Sequence, residues 1–314
     1  MTEVIKLSKR AIVRLLDNYN IGRHISHKYV SWALSNSVYF LKTSNGRFVL
    51  KVHQDIGFDR LRFVQNIIEY SRGNGIPVAE VIRNNEDKQI SLYDGHMITI
   101  QKFVNGRIAE MTNEKRIRLA GNTAGMLDRK LFKIPLNGRF SDYSFFTRHV
   151  TKRKIYVKNF DFLNEESILH MHLRSIKIEK LRKSVIHSDL GGHIMFNNGE
   201  VSAIIDWDDV KETYLVLESA NFIADCFIVN KRTLKGKVAV FLKEYQKYVK
   251  LNKEEKVALY YLIKLRYLMG IFCYIEEQKT HKNKEINKWI DELLEKYKSF
   301  DRISLNEFMQ AISQ

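Results

Sequence analysis

Residues 187–209 read HSDLGGHIMFNNGEVSAIIDWDD, and this stretch decides the fold. Short apolar runs, Val185-Ile186, Ile194 to Phe196 and Val201 to Ile205, flank a Gly191-Gly192 loop and an Asn197-Asn198-Gly199 turn. The pattern predicts a hairpin with a carboxylate on the turn at either side, Asp189 and, 17 positions on, Asp206. One carboxylate so placed orients and deprotonates a hydroxyl, while the other holds Mg²⁺ against nucleotide phosphates. Phosphoryl transfer needs those two roles, because its barrier falls mainly through positioning and charge neutralisation. Two aspartates in ordinary turns would give the same letters, so the rest of the chain must decide.

Upstream, Val38 to Lys42 and Arg47 to Val52 are β-rich runs separated by Thr43-Ser-Asn-Gly46, a hairpin signal. From Asp59 to about Arg72, Leu61, Val64, Ile67 and Ile68 recur at helical spacing, with Asp59 as the expected N-cap. Gly73-Asn-Gly75 stops that helix and Pro77 prevents its restart. Strands are expected near Ala79 to Ile82 and His96 to Phe103, then a turn at Asn105-Gly106. Apart from residues 185–207, the remainder reads as helical. A β-rich lobe followed by an α-rich lobe predicts a cleft between them, where cofactors bind.

Composition narrows the function classes. A chain of 314 residues with 45% hydrophobic and 28% charged residues is long enough for two cored lobes and is not a disordered composition. The opening MTEVIKLSKR lacks the apolar centre of a signal peptide. The most apolar stretches, Ala220 to Val229 and Leu259 to Tyr274, are broken by Asp225, Lys264 and Arg266, so core helices are expected and no membrane span. Cys226 and Cys273 lack metal-ligand spacing and are expected as reduced core thiols in a cytoplasmic protein. The net charge of +16 reads either as attraction to an anionic partner or as a lysine-rich solvated surface. The basic residues are spread end to end, and the denser stretches, Arg148 to Lys158 and Arg174 to Lys183, look like exposed helix faces. No nucleic-acid motif accompanies them, so nucleic acid is not expected as a partner.

The residues quoted above resemble the aminoglycoside phosphotransferase and choline kinase-like superfamily, whose catalytic loop reads H-x-D-x-x-x-x-N and whose metal motif reads I-D-x-D. His187 and Asp189 match the first motif; Ile205, Asp206 and Asp208 match the second. The resemblance implies Asp189 as base, His187 supporting its loop, and Asp206 on Mg²⁺. NSVYFLKTSNGRFVLKV, residues 36–52, resembles the family's nucleotide-binding hairpin. Lys51 would then contact the α- and β-phosphates of ATP, and the Ser35-Asn36-Ser37 turn would replace a glycine-rich loop. IQKFVNGR, residues 100–107, resembles the hinge, with backbone groups of Gln101 to Phe103 bonding the adenine. Asp59 and Glu69 are the available acids for Lys51, and neither stands where the pairing acid is expected.

One departure is chemical. Ile194 stands where the family's asparagine is expected, five residues after Asp189, and a loop shorter by one residue sets His193 there instead. An amide oxygen suits Mg²⁺ and a neutral imidazole suits a softer ion. Either His193 substitutes, or Asn197 or Asn198 reaches in, or one metal site is lost. Residues 60–78 and 241–270 resemble the bacterial homoserine kinase-like branch. Trp207, Asp208 and Glu218 are expected on the substrate side, where carboxylates take an ammonium group or else cap local helices.

The expectation is an α+β, two-lobed protein-kinase-like fold, with a β-rich N-lobe over 1–103 and a helical C-lobe over 104–314. The implied function is ATP- and Mg²⁺-dependent phosphorylation of a small hydroxyl acceptor, a homoserine-like amino acid or an amino alcohol. The alternatives are an aminoglycoside phosphotransferase, which the chain's positive field disfavours, or a kinase fold that binds nucleotide without turnover. ATP versus GTP and the oligomeric state stay open.

Overall fold

The computed structural model describes residues 5–31, 36–54, 56–143, 157, 160–280 and 285–313. Their contacts divide the chain into two compact units. The first comprises 1–107, 195–198 and 202–208; the second comprises 108–194, 199–201 and 209–314. The hairpin that follows the catalytic-loop motif thus returns in part to the first unit, where the sequence boundary had been drawn once, at 103.

The first unit opens with α1 (Lys9–Leu16), capped by Ser8, whose hydroxyl accepts from the Ala11 amide. Strands β1 (His24–Tyr29), β2 (Asn36–Thr43) and β3 (Gly46–His53) follow, then α2 (Phe58–Gly73) and strands β4 (Val81–Ile82), β5 (Ser91–Tyr93) and β6 (His96–Lys102). All pair antiparallel, in the order β1-β2-β3-β6-β4 with β5 beside β6. The Asn45-Gly46 turn closes β2 on β3, and Gly46 takes the positive φ of 140° that the turn demands. Period-two alternation sends Phe48, Leu50 and Val52 into the core with Tyr39, Leu41, Ile98 and Ile100. Lys51 therefore faces the other side of the sheet.

Helix α2 buries Leu61, Val64, Ile67 and Ile68, as their spacing requires. Its N-cap is Gly57, without a side-chain bond; Asp59, expected as the cap, lies inside the first turn. Asn36 and Ser37, expected in a turn, are strand residues paired with His53 and Val52; Ser35 lies outside the described residues.

Short β7 (Arg107–Ile108) precedes the second unit, which contains α3 (Glu114–Leu131), α4 (Phe162–Ser175) and β8 (Lys183–Ile186). The motif hairpin is β9 (Ile194–Asn197) and β10 (Glu200–Ile204). Its returning arm is tied into the first unit, where the Ile204 amide donates to the Pro77 carbonyl at 2.7 Å and Val78 bridges Ile204. The second unit continues with β11 (Lys211–Tyr214), antiparallel to β8, then α5 (Val216–Cys226), α6 (Lys231–Thr233), α7 (Ala239–Tyr245), α8 (Lys253–Thr280), α9 (Glu285–Asp301) and α10 (Leu305–Ile312). Gly121 and Gly125, one turn apart on α3, let the α7 backbone approach closely. A Cβ on either would stand 2.4 or 2.5 Å from the carbonyl oxygen of Phe241 or Tyr245.

By length and composition α8 is apolar enough to cross a membrane, which the sequence reading had not expected of any segment. In the molecule it buries Leu259, Leu262, Ile263 and Leu268, and its Lys264 and Arg266 pair with Asp301 and Asp225. The cysteines are less buried than expected: Cys273 is exposed and Cys226 half-buried. Arg174 to Lys183 spans a helix end, a 3-10 turn and a strand start rather than one helix face. Of Arg148 to Lys158, only Val157 lies within the described residues.

Candidate active site

Within the second unit, β8 ends at Ile186 and the chain enters the loop that carries Asp189. His187 is fully buried beneath it. Ser188 adopts a positive φ of 74°, a strained conformation for a residue with a Cβ. Two side chains on the same face of α5 hold that peptide: the Ser188 amide donates to Glu218 Oε2 at 3.0 Å, and Asn221 Nδ2 donates to the Ser188 carbonyl at 2.7 Å. Glu218 is fully buried, and burial pushes its carboxyl up to about 7 although the His187, Ser188 and Leu190 amides pull against that. Glu218 therefore anchors the loop from below; the expectation that it faces substrate is corrected.

The loop presents Asp189 with its carboxylate about a third exposed. His193 Nδ1 donates to the Asp189 carbonyl at 2.6 Å and stands 3.4 Å from Asp189 Oδ2. The imidazole thus closes the loop from the position next to Ile194. Arg266 Nη2, from α8, lies 3.5 Å from Asp189 Oδ1, and the same guanidinium grips Asp225 of α5 at 3.1 and 3.2 Å. Burial raises the Asp189 pKa, and His193 and Arg266 restrain the rise. A carboxylate so disposed is partly desolvated and held between two basic side chains, the setting of a general base. Asp225 and Arg266 were visible in the sequence only as charges interrupting apolar helices. That interruption is the signal, since buried helices keep a charge only where it is paired.

Within the first unit, Lys51 Nζ stands 2.7 Å from Asp208 Oδ2 and 3.2 Å from Asp206 Oδ1. Asn36 Nδ2 also donates to Asp208 Oδ2 at 2.7 Å, and Arg60 Nη2 to the Asp208 carbonyl at 2.9 Å. Burial opposes the Lys51 ammonium, but Asp208 and Asp206 outweigh it and raise its pKa. Beneath the cluster lies His53, bonded to Thr99 at 2.9 Å and lowered to about 4 by burial and by Lys51. The acids that meet Lys51 are thus Asp206 and Asp208. Glu69 is taken by Arg83 through both oxygens at 2.8 Å, and Asp59 lies near Arg62. Asp206 is half-exposed and, with φ of 59°, strained like Ser188. A half-exposed carboxylate beside a lysine and a second carboxylate fits a hard divalent cation with phosphates.

Two further expectations are corrected. Asp208, placed on the substrate side by sequence, belongs to the Lys51 cluster. Trp207 is buried, and its indole donates to the Ile204 carbonyl at 3.1 Å, so it packs rather than receives substrate. At the expected hinge the Lys102 and Phe103 amides are committed to the Glu80 and Arg47 carbonyls, and Gln101 is a rung of two ladders. Those two amides, expected to bond adenine, are therefore already paired within the sheet region. A cavity of about 400 Å³ in the first unit has Lys102 to Asn105 in its wall, with Asn197 and Ser202. Ser37 is fully buried and accepts from Gln54, whereas Asn36 reaches the cluster.

Comparison with known proteins gives the family and the fold. A model of the phosphotransferase enzyme family matches residues 27–247, and the chain belongs to that family. Among curated relatives, homoserine kinase of Methylobacillus flagellatus is 24% identical over 262 residues, covering 77% of each chain. Homoserine kinase of Neisseria meningitidis serogroup B is 23% identical over 61% of this chain and 63% of its own. Among solved structures, an amicoumacin kinase in complex with AMP-PNP, Ca²⁺ and Ami superposes with a TM-score of 0.74 at 14% identity, covering 95% of both chains. A microcompartment-associated aminopropanol kinase also gives 0.74 at 14%, covering 97% of this chain and 100% of the other. The fold is the two-lobed kinase-like one, and the chain is a phosphotransferase that uses an alcohol group of a small molecule as acceptor.

Proposed function

We propose that the chain transfers the γ-phosphate of ATP to the hydroxyl of a small amino-bearing metabolite, a homoserine-like amino acid or an amino alcohol. The observation that carries this reading is the Asp189 loop. It holds a third-exposed carboxylate, raised by burial, on a peptide clamped from both sides by α5. Asp189 accepts the acceptor's proton as its oxygen bonds to the γ-phosphorus, and the bond to ADP breaks. Lys51, held on its strand by Asp206 and Asp208, steadies the nucleotide phosphates. Asp206 would hold a Mg²⁺ ion, which neutralises phosphate charge when bound. The relatives that act as homoserine kinases and the aminopropanol kinase neighbour support an acceptor of this size.

Replacing Asp189 by Asn tests the assignment. ATP binding should persist while phosphate transfer falls by roughly 10²- to 10⁴-fold, the worth of general base catalysis. Turnover equal to wild type would remove Asp189 from the mechanism.

A further inference from the structure

A cavity of about 720 Å³ in the first unit shares no wall residue with the Lys51 cluster. Helix α2 forms one side of it with Phe58, Arg62 and Asn66; the turn between β4 and β5, with Gln89, and Leu92 of β5 form the other. The walls are tied to each other. Arg83 donates through Nη2 to both carboxylate oxygens of Glu69 on α2, and through Nη1 to the Asp87 carbonyl, each at 2.8 Å. Asn84 braces the turn, its Oδ1 accepting from the Glu86 and Lys88 amides at 3.0 and 2.9 Å and its Nδ2 donating to Ser91 Oγ at 2.9 Å. Other wall residues are not used in this way. Asn66 and Gln89 make no side-chain hydrogen bond among the described residues. Arg62 pairs with Asp59 only at 3.9 Å, beyond hydrogen-bond distance. Phe58 is 50% exposed and Leu92 69%. The two acids on the wall are already met, Glu86 by Lys88 at 2.5 Å and Asp87 by Arg83 at 3.6 Å. A braced space thus keeps a guanidinium, two amides and an aromatic ring available.

We infer that this cavity is a second ligand site, which takes a small planar ring compound carrying one anionic group, a phosphate or a carboxylate, and whose occupancy is felt at the Lys51 cluster. Its volume falls within the range of small-molecule sites. Phe58 packs on the ring, and Arg62 takes the anion through paired N–H···O bonds, the recognition that a guanidinium supplies best. Asn66 and Gln89, each with an amide donor and acceptor, meet the polar edge of the ring. A cationic ligand is disfavoured, because the acids on the wall are neutralised and the chain carries a net charge of +16. The route to the cluster is short. Arg60, between Phe58 and Arg62 in the same stretch of α2, donates to the Asp208 carbonyl at 2.9 Å, and Asp208 holds Lys51 at 2.7 Å. A ligand that fixes this stretch of α2 changes the affinity of the cluster for nucleotide, and nucleotide changes the affinity for the ligand by the same factor. That coupling rests on the kinase reading above; the site itself does not.

Two matched pairs of probes test this, because each differs in its anionic group: GMP against guanosine, and indole-3-acetate against indole-3-acetamide. The two anions also separate a phosphate site from a carboxylate site. Binding is measured by calorimetric titration in the presence of saturating AMP-PNP and Mg²⁺, so that the nucleotide site is filled. Wild type, Arg62→Gln and Phe58→Ala are compared, each checked for folding by circular dichroism. At least one anion should bind the wild type, with its neutral partner roughly 10-fold weaker. Arg62→Gln should erase that preference, and Phe58→Ala should weaken both members of the pair. The bound anion should shift the Kd of AMP-PNP by about 5-fold or more, and Arg62→Gln should lose the shift. Failure of both anions to bind, binding that neither variant changes, displacement of the anion by AMP-PNP, or a Kd for AMP-PNP that the bound anion leaves unmoved would overturn the inference. The two readings fail separately. AMP-PNP bound without either anion removes the cavity site and keeps the kinase, whereas Arg62-dependent binding of an anion by a chain that binds no AMP-PNP keeps the site and removes the kinase.

Discussion

Glu218 makes the stability of the fold depend on pH. It is fully buried, and its carboxyl is raised from 4.5 to about 7, with burial as the first cause. The folded state therefore binds a proton that the unfolded chain releases above pH 4.5. The stability from that proton is fully present below about pH 4.5 and is lost as pH rises through about 7. At about 1.4 kcal/mol per unit, the loss is on the order of 3 kcal/mol. Glu218→Gln cannot ionise, so its stability relative to wild type should climb by that order between pH 4.5 and 7, then level off. A constant offset of about 1 kcal/mol against the variant is expected, because an amide accepts from the Ser188 amide less strongly than a carboxylate. His53 tilts the wild-type curve the other way, and buried Asp128 is raised partly by Glu218, so the difference between variant and wild type reads Glu218 together with Asp128. Urea unfolding followed at 222 nm at half-unit pH steps reads that difference. Curves that stay parallel from pH 4.5 to 8 would refute a buried, proton-binding Glu218.

Other expectations follow from the same geometry. His53 is lowered to about 4, so its contribution is present above pH 6.5 and lost as pH falls toward 4, again on the order of 3 kcal/mol; His53→Gln should remove that acid-side loss in the same urea series. Gly125→Ala sets about 1 kcal/mol of helix propensity against overpacking of about 1–3 kcal/mol, because its Cβ would stand 2.5 Å from the Tyr245 carbonyl oxygen. A net loss of stability is expected, and a variant more stable than wild type would show that α3 and α7 are not in close contact. Lys51→Met removes the ammonium from Asp206 and Asp208 and should lower kcat/KM for ATP by roughly 10²-fold, with the fold retained by circular dichroism.

The sequence showed the β2–β3 hairpin clearly, because Asn-Gly between alternating apolar runs permits little else. It also showed α2, whose apolar positions recur at helical spacing, but not its cap, since Gly57 caps with backbone geometry alone. Strand β1 was missed because HISHKY carries no clean alternation, and its burial pattern has none either. At the site, Asp189 and Lys51 were legible as motif letters. Their partners were not, because Lys51 meets acids more than 150 residues away that local spacing cannot announce. The choice between a substrate-facing and a structural Glu218 stayed open in the sequence for a related reason: nearness to Asp206 says nothing about which way a side chain points. Arg266 was read as a break in an apolar helix, and only the packing of α8 beside α5 reveals what the charge meets.

The most direct test of the account is ³¹P NMR of the purified chain with ATP, Mg²⁺ and candidate hydroxy amino acids. The account predicts a phosphomonoester resonance growing in step with ADP, present with wild type and lost with Asp189→Asn. ATP consumed to free phosphate alone, or a phosphomonoester formed equally by the variant, would contradict it.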